Sequence, residues 1–242
     1  MLALMMSLLI VGHRGASGHA PENTLPAFEK AIELRADAVE LDIWPDKNGV
    51  PVVIHDNSLE RTAKVKAFVD GLSAEELKAY DVPTYEEALD VAKSGNLVVF
   101  TELKGDAGEA VAAIIHRKVA EEGWQYAQLP VIGFDHQQLK ALKQAHPDII
   151  TGATFSRGML ERIPRNAQAG YMISAAKAIG ADAINPDYRL ISGEVVRQAR
   201  KAGLKINVWT VNAPRDIKTM IAFGVDAIMS DYPDRVSAEL HD

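Results

Sequence analysis

Two histidines, an arginine, a lysine and three carboxylates stand at one kind of place in this chain, the end of a short apolar run. His13 and Arg14 follow Ser7-Leu8-Leu9-Ile10-Val11 and lie between Gly12 and Gly15. Glu40 and Asp42 close a run that begins at residue 38, His55 and Asp56 follow "VPVVI", and Glu102 and Lys104 follow "LVVF". The two-residue spacing in Glu40-x-Asp42 and Glu102-x-Lys104 puts both members of each pair on the same face of a strand. Three carboxylates on one rim repel unless something neutralises them. A hard divalent cation with oxygen ligands, Mg²⁺ or Ca²⁺, does so. Zinc fits less well, because the chain has no cysteine and the histidines have another task. Arg14 and Lys104 offset two of the three negative charges, so a divalent cation turns a site of net −1 into one of net +1. Such a site attracts an anion only when loaded. Arginine suits phosphate as a fork and lysine as a point charge. Two imidazoles on different strand ends supply a proton donor and a proton acceptor near neutral pH. Together these groups point to phosphoester cleavage, with the acid and base roles of His13 and His55 left open.

Blander readings apply to the remaining polar residues. A Glu-x-Asp by itself is usually a solvated strand end; convergence on one rim is what raises this set above that. His19, His116, His136, His146 and His241 read as solvent-facing. Asn23 and Thr24 read as a helix cap, Arg61 with Glu60 as a surface pair, and Trp209 equally as core or pocket wall. The glycines at 12 and 15 allow positive φ or close backbone approach.

The elements that would carry these residues alternate along the whole chain. Strands are expected at 7–12, 38–43, 97–102, 130–134, 150–155, 182–186, 205–210 and 227–230. Helix signals lie between them: Thr24 before Leu25-Pro26, capping boxes at Ser73/Glu76 and Thr84/Glu87, and openings at Asp106, Ser192 and Asn212. Strands alternating with helices pair in parallel through right-handed crossovers. Eight such units in 242 residues predict an α/β fold, a (β/α)₈ TIM barrel. A doubly wound sheet is the runner-up, but its GxGxxG turn is absent. Residues 1–242 read as a single domain, with a small cap insertion at 57–83 after the second strand. The unit at 156–181 is the least clear, because Pro164 interrupts its helix pattern. The opening MLALMMSLLIV lacks a basic n-region and is too short to span a bilayer; its second half reads as the first strand. A net charge of −7 disfavours nucleic acid and stable membrane association. The lack of cysteine suits a cytoplasmic setting.

At these residues the sequence resembles the glycerophosphodiester phosphodiesterase family. The resemblance rests on His13-Arg14-Gly15, Pro21-Glu22-Asn23-Thr24, Glu40-Leu41-Asp42, His55-Asp56 and Glu102-Leu103-Lys104. It continues through Trp209-Thr210-Val211-Asn212, Gly224-Val225-Asp226 and Asp231-Tyr232-Pro233, in order over almost the whole chain. It implies a (β/α)₈ barrel that hydrolyses glycerophosphodiesters to sn-glycerol 3-phosphate and an alcohol. It also implies a divalent metal on Glu40, Asp42 and Glu102, and acid–base catalysis by His13 and His55. Arg14 and Lys104 would hold the phosphate and Trp209 would line the glycerol side. The chain departs from the family's usual residues at Arg35, where glycine is usual, at Asp46 for threonine, and at Gly133 for serine. The segment 57–83 looks shorter than the usual cap, which implies few contacts with the leaving alcohol. Competing readings are a lysophospholipase D-type enzyme and a catalytically silent barrel that binds a phosphometabolite.

Overall fold

The computed structural model describes residues 8–241. Nine strands form: β1 Leu9–His13, β2 Ala38–Pro45, β3 Pro51–Val53, β4 Val98–Leu103, β5 Val131–Gly133, β6 Thr151–Phe155, β7 Ala183–Pro186, β8 Lys205–Val208 and β9 Ala227–Ser230. Eight of them run parallel and close on themselves, β9 pairing with β1 and β1 with β2, while β3 lies antiparallel on the outer half of β2. This is the expected (β/α)₈ barrel with one extra strand. The expected strand start at residue 7 and the reading of the opening residues fall outside the described residues. The strands are almost wholly buried, as a parallel sheet covered on both faces requires.

Ten α-helices lie among the described residues: α1 Leu25–Glu33, α2 Glu60–Ala63, α3 Ala74–Leu77, α4 Tyr85–Ser94, α5 Gly108–Glu121, α6 His136–Ala145, α7 Arg165–Ala178, α8 Gly193–Lys201, α9 Pro214–Phe223 and α10 Pro233–His241. Thr24 and Ser192 cap α1 and α8, and both capping boxes form. Two expected caps are corrected. The segment opened by Asp106 becomes helical only at Gly108 with no side-chain cap. Asn212 does not cap α9, because its side chain is drawn to Asp231 instead. Pro164 stands just before α7 and breaks nothing. Arg35, where the family usually has glycine, adopts φ 58, which explains the usual preference.

Inside the barrel Val11, Ala38, Phe100, Ile132, Ala227 and Met229 form a buried apolar plug. Its members alternate along their strands with period two. Carried upward, Val11 leads to His13, Ala38 to Glu40 and Asp42, and Phe100 to Glu102. The apolar plug therefore floors the polar site. Strand register completes the placement, with His13 opposite Glu40 and Asp42 opposite Glu102. Residues 57–83 build a separate small cluster in which Leu59, Val69 and Leu77 are fully buried with Val52 and Ile54. Phe68 of the same segment is 66% exposed.

Candidate active site

The sharp turn after β1 is set by its glycines. A Cβ on Gly12 would lie 2.8 Å from the Gly15 carbonyl, and one on Gly15 would lie 2.6 Å from Ala27. The turn puts Arg14 in a left-handed conformation (φ 54), from which its backbone N–H donates to Glu40 Oε2 at 3.0 Å. Glu40, Asp42 and Glu102 are all buried, and one oxygen from each lies within 4.8 Å of the others. Complete burial and neighbouring Asp42 push the Glu40 carboxyl up to about 8. Burial likewise raises Glu102. Burial also acts to raise Asp42, but Lys104 and Arg14 outweigh it and hold that carboxyl below its usual value. Burial and mutual repulsion thus disfavour full ionisation of the three carboxylates, and a further cation would favour it. The hard oxygen donor set and its uncompensated charge both fit a divalent metal ion.

Each imidazole is gripped at Nδ1 by a carboxylate. His13 Nδ1 lies 2.7 Å from Asp231 Oδ1, leaving Nε2 3.9 Å from Glu40 Oε2. Asp231 is in turn held by Ser17 Oγ at 3.0 Å, by Asn212 Nδ2 at 2.6 Å, and through its own N–H on Asn212 Oδ1 at 2.9 Å. Burial disfavours charge on His13, but Asp231 and Glu40 outweigh it and raise the imidazole above its ordinary value. Asp231 is held at about 2 by His13, Asn212 and Ser17 despite its burial. His55 Nδ1 lies 2.6 Å from Asp56 Oδ1. Burial, reinforced by Lys104 against the opposing pull of Asp42, lowers His55. The two imidazoles therefore shift in opposite directions.

Arg14 and Lys104 reach the same centre. Arg14 Nη1 donates to Glu22 at 2.9 Å and its Nε lies 3.3 Å from Asp42. Lys104 Nζ donates to Glu102 at 2.5 Å and lies 3.1 Å from Asp42. Trp209 is half-buried above the plug, donates from Nε1 to the Asn185 carbonyl at 2.8 Å, and meets Phe134 edge-on at 5.6 Å. The Lys104 ammonium sits 5.5 Å from that Phe134 ring. The fold thus gathers all eight expected site residues on the C-terminal ends of the strands or in contact with groups there.

Several functions differ from expectation. Asn23 is no cap: it is buried and donates to Asp42 Oδ2 at 2.8 Å. Arg61 pairs not with Glu60 but with Glu22 through two bonds of 2.7 Å and with Asp56 at 2.5 Å. A continuous chain His55–Asp56–Arg61–Glu22–Arg14–Asp42 therefore ties the segment 57–83 to the carboxylates. His116, His136 and His146 are not solvent-facing. His116 bonds Tyr126 and His146 at 2.8 and 3.0 Å, and His136 bonds the Thr154 carbonyl at 3.0 Å. His19 is exposed as expected, beside Asp234 at 2.8 Å. The His241 side chain lies outside the description. In the sequence Asp231 stands out only as part of Asp231-Tyr232-Pro233, just after the last expected strand and without a task. The signal was available: closing a barrel makes its last strand the neighbour of its first.

Residues 13–235 match the model of the glycerophosphoryl diester phosphodiesterase family. A glycerophosphodiester phosphodiesterase of Caldanaerobacter subterraneus is 31% identical over 95% of this chain and 96% of its own. Among solved structures, an Oleispira antarctica phosphodiesterase in complex with the product sn-glycerol-3-phosphate is 26% identical with a TM-score of 0.79, covering 96% of both chains. A Silicibacter pomeroyi structure described as a glycerophosphoryl diester phosphodiesterase is 25% identical with a TM-score of 0.81, covering 98% of this chain and 94% of its own. With the family's His-Arg, Glu-x-Asp, His-Asp and Glu-x-Lys motifs brought together at one rim of the barrel, the chain belongs to the glycerophosphoryl diester phosphodiesterase family, a family of phosphodiester hydrolases.

Proposed function

We propose that this chain hydrolyses glycerophosphodiesters to sn-glycerol 3-phosphate and an alcohol, using a divalent cation and two histidines. One observation carries the reading: a buried carboxylate trio flanked by two imidazoles, each fixed at Nδ1 by its own carboxylate. Glu40, Asp42 and Glu102 would hold Mg²⁺ or Ca²⁺, which supplies charge stabilisation for a phosphoryl oxygen. The product-bound relative supports the substrate class.

The chain's own groups divide the remaining work. Arg14 and Lys104 share their donors among carboxylates, so an arriving phosphodiester trades those contacts for phosphate oxygens. Asp231 and Asp56 fix the Nδ1–H tautomers of His13 and His55, leaving each Nε2 free to move a proton. One imidazole takes the proton of the attacking oxygen as it bonds to phosphorus. The other gives a proton to the alcohol oxygen as its P–O bond breaks. Their opposite shifts support one donor and one acceptor. Trp209 offers an apolar wall for the glycerol carbons. No helix among the described residues is long and apolar enough to cross a membrane.

The segment 57–83 carries two short α-helices and is tied beside His55 through Arg61. As a small cap it makes few contacts with the leaving alcohol, and each such contact is worth only about 1–3 kcal/mol of discrimination. The test is release of sn-glycerol 3-phosphate from the choline, ethanolamine and glycerol esters. All three should turn over, with kcat/KM values within about a hundredfold of one another. Binding of all three without turnover would instead assign a silent barrel.

A further inference from the structure

Across the rim from the carboxylates, the loops that follow β6 and β7 enclose a cleft of about 700 Å³ lined by Arg157, Arg162, Arg165 and Arg189. Four arginines around one cleft are unexpected in a chain of net charge −7. Glu161 is the one acidic residue among the described residues that line it. Arg189 is neutralised by Asp187 through bonds of 2.8 and 2.5 Å. The guanidinium groups of Arg157, Arg162 and Arg165 have no acceptor among the described residues. The start of α7 opens onto the same cleft through Pro164 and Arg165, with no side-chain cap and no acidic residue in its first turn. Fourteen residues of helix behind it add partial positive charge. A concave site lined by one sign of charge concentrates the opposite sign, and arginine forks match phosphate oxygens.

The cleft lies on the catalytic face. Both of its loops leave the C-terminal ends of strands, as the carboxylates do. Contacts run from the centre to its edge: Lys104 to Phe134, Phe134 to Trp209, and the Trp209 carbonyl to the Tyr188 N–H at 3.0 Å, next to Arg189. Resting on the phosphodiesterase reading above, we propose that this cleft binds a second phosphate group, carried by the leaving alcohol at a distance from the scissile diester. The preferred substrates are then glycerophosphodiesters of phosphorylated polyols, and a cationic alcohol such as choline gains nothing from the cleft.

The test compares glycerophosphoinositol with glycerophosphoinositol 4-phosphate, which differ by the added phosphate alone. Both are assayed with the unaltered chain and with the triple variant Arg157→Gln, Arg162→Gln, Arg165→Gln. The substituted side chains are exposed, and unfolding curves of the two proteins should coincide. The unaltered chain should favour the phosphorylated ester by about tenfold or more, the sum expected of several exposed charge contacts. The variant should lose that preference while its rate on glycerophosphoinositol stays unchanged. Equal preference in the two proteins overturns the proposal. Calorimetric titration with inositol 4-phosphate, the freed alcohol, reads the cleft without turnover. Weaker binding to the variant supports the cleft even where neither ester is cleaved, an outcome that faults the phosphodiesterase reading alone. Inorganic phosphate bound in the cleft with no preference between the esters marks a free-phosphate site and overturns the assignment to substrate.

Discussion

At the ends of β1, β2 and β4 charge is buried, whereas the loops after β6 and β7 display it on the surface. Glu40 and Asp42 are 2% and 1% exposed, and their neighbours Arg14 and Lys104 are mostly covered. Arg157, Arg162 and Arg165 stand in water. The difference teaches how each region came to be possible. A buried charge is tolerable only with partners at fixed distance, so removing one leaves the others uncompensated. Such a cluster needs strand register, and the pairing of Asp42 with Glu102 and His13 with Glu40 supplies it. Exposed arginines need no partner in the free chain, and they act through what binds to them. The near half should therefore respond strongly to single substitutions, and the far half weakly, with its effect visible only on an anionic substrate.

The largest effect expected on this contrast is at the two histidines. His13→Ala and His55→Ala should each lower turnover of glycerophosphocholine by about 10²–10⁴, the range for a positioned proton donor or acceptor. The pH profile of kcat/KM in the unaltered chain should be bell-shaped, its two apparent values belonging to the coupled pair. A folded variant with near-normal turnover removes that histidine from the proton-transfer pair and erases the contrast.

A smaller effect concerns stability without metal. Glu40 loses its proton near pH 4.5 when unfolded and near 8 in the folded chain. Between those values the folded state binds more protons than the unfolded state, so stability falls as pH rises. His13, raised by Asp231 and Glu40, adds to that fall, while His55, lowered chiefly by burial, opposes it. The difference between the chain and Glu40→Gln isolates the carboxyl. Denaturant unfolding in chelator at pH 5 and pH 8 should show a steeper loss for the unaltered chain than for Glu40→Gln, and Mg²⁺ or Ca²⁺ should flatten it. The arginine variants of the far half should leave the slope untouched, since arginine does not titrate there. Equal slopes with and without Glu40 would mean that its charge is already compensated within the fold.

Much of this architecture is legible in the sequence, because its signals are local. Apolar runs alternating with helix signals marked all eight barrel strands, and period two assigned Glu40, Asp42 and Glu102 to one face. Caps that reach three residues, as at Thr24, Ser73, Thr84 and Ser192, were legible for the same reason. The misread residues have partners far along the chain. Asp231 meets His13 across 218 positions, and Arg61 meets Glu22 across 39. Asn23 and Asn212 look like caps because asparagine often caps, yet each finds a carboxylate nearby, and a charge-assisted bond outcompetes a backbone amide. Arg157, Arg162 and Arg165 are neighbours in the sequence, but the cleft they line was not legible, because only the closed barrel sets their segment beside the loop that carries Arg189.

The central claim is that Glu40, Asp42 and Glu102 form a divalent-cation centre on which hydrolysis depends. It is tested most directly by dialysing the protein against chelator, then titrating Mg²⁺ or Ca²⁺ while following bound ion by calorimetry and turnover of glycerophosphocholine in parallel. The expected result is no turnover in chelator, one ion bound per chain, and recovery of turnover along the same binding curve. Glu40→Gln, Asp42→Asn and Glu102→Gln should each weaken that binding. Full turnover in excess chelator after dialysis would contradict the claim.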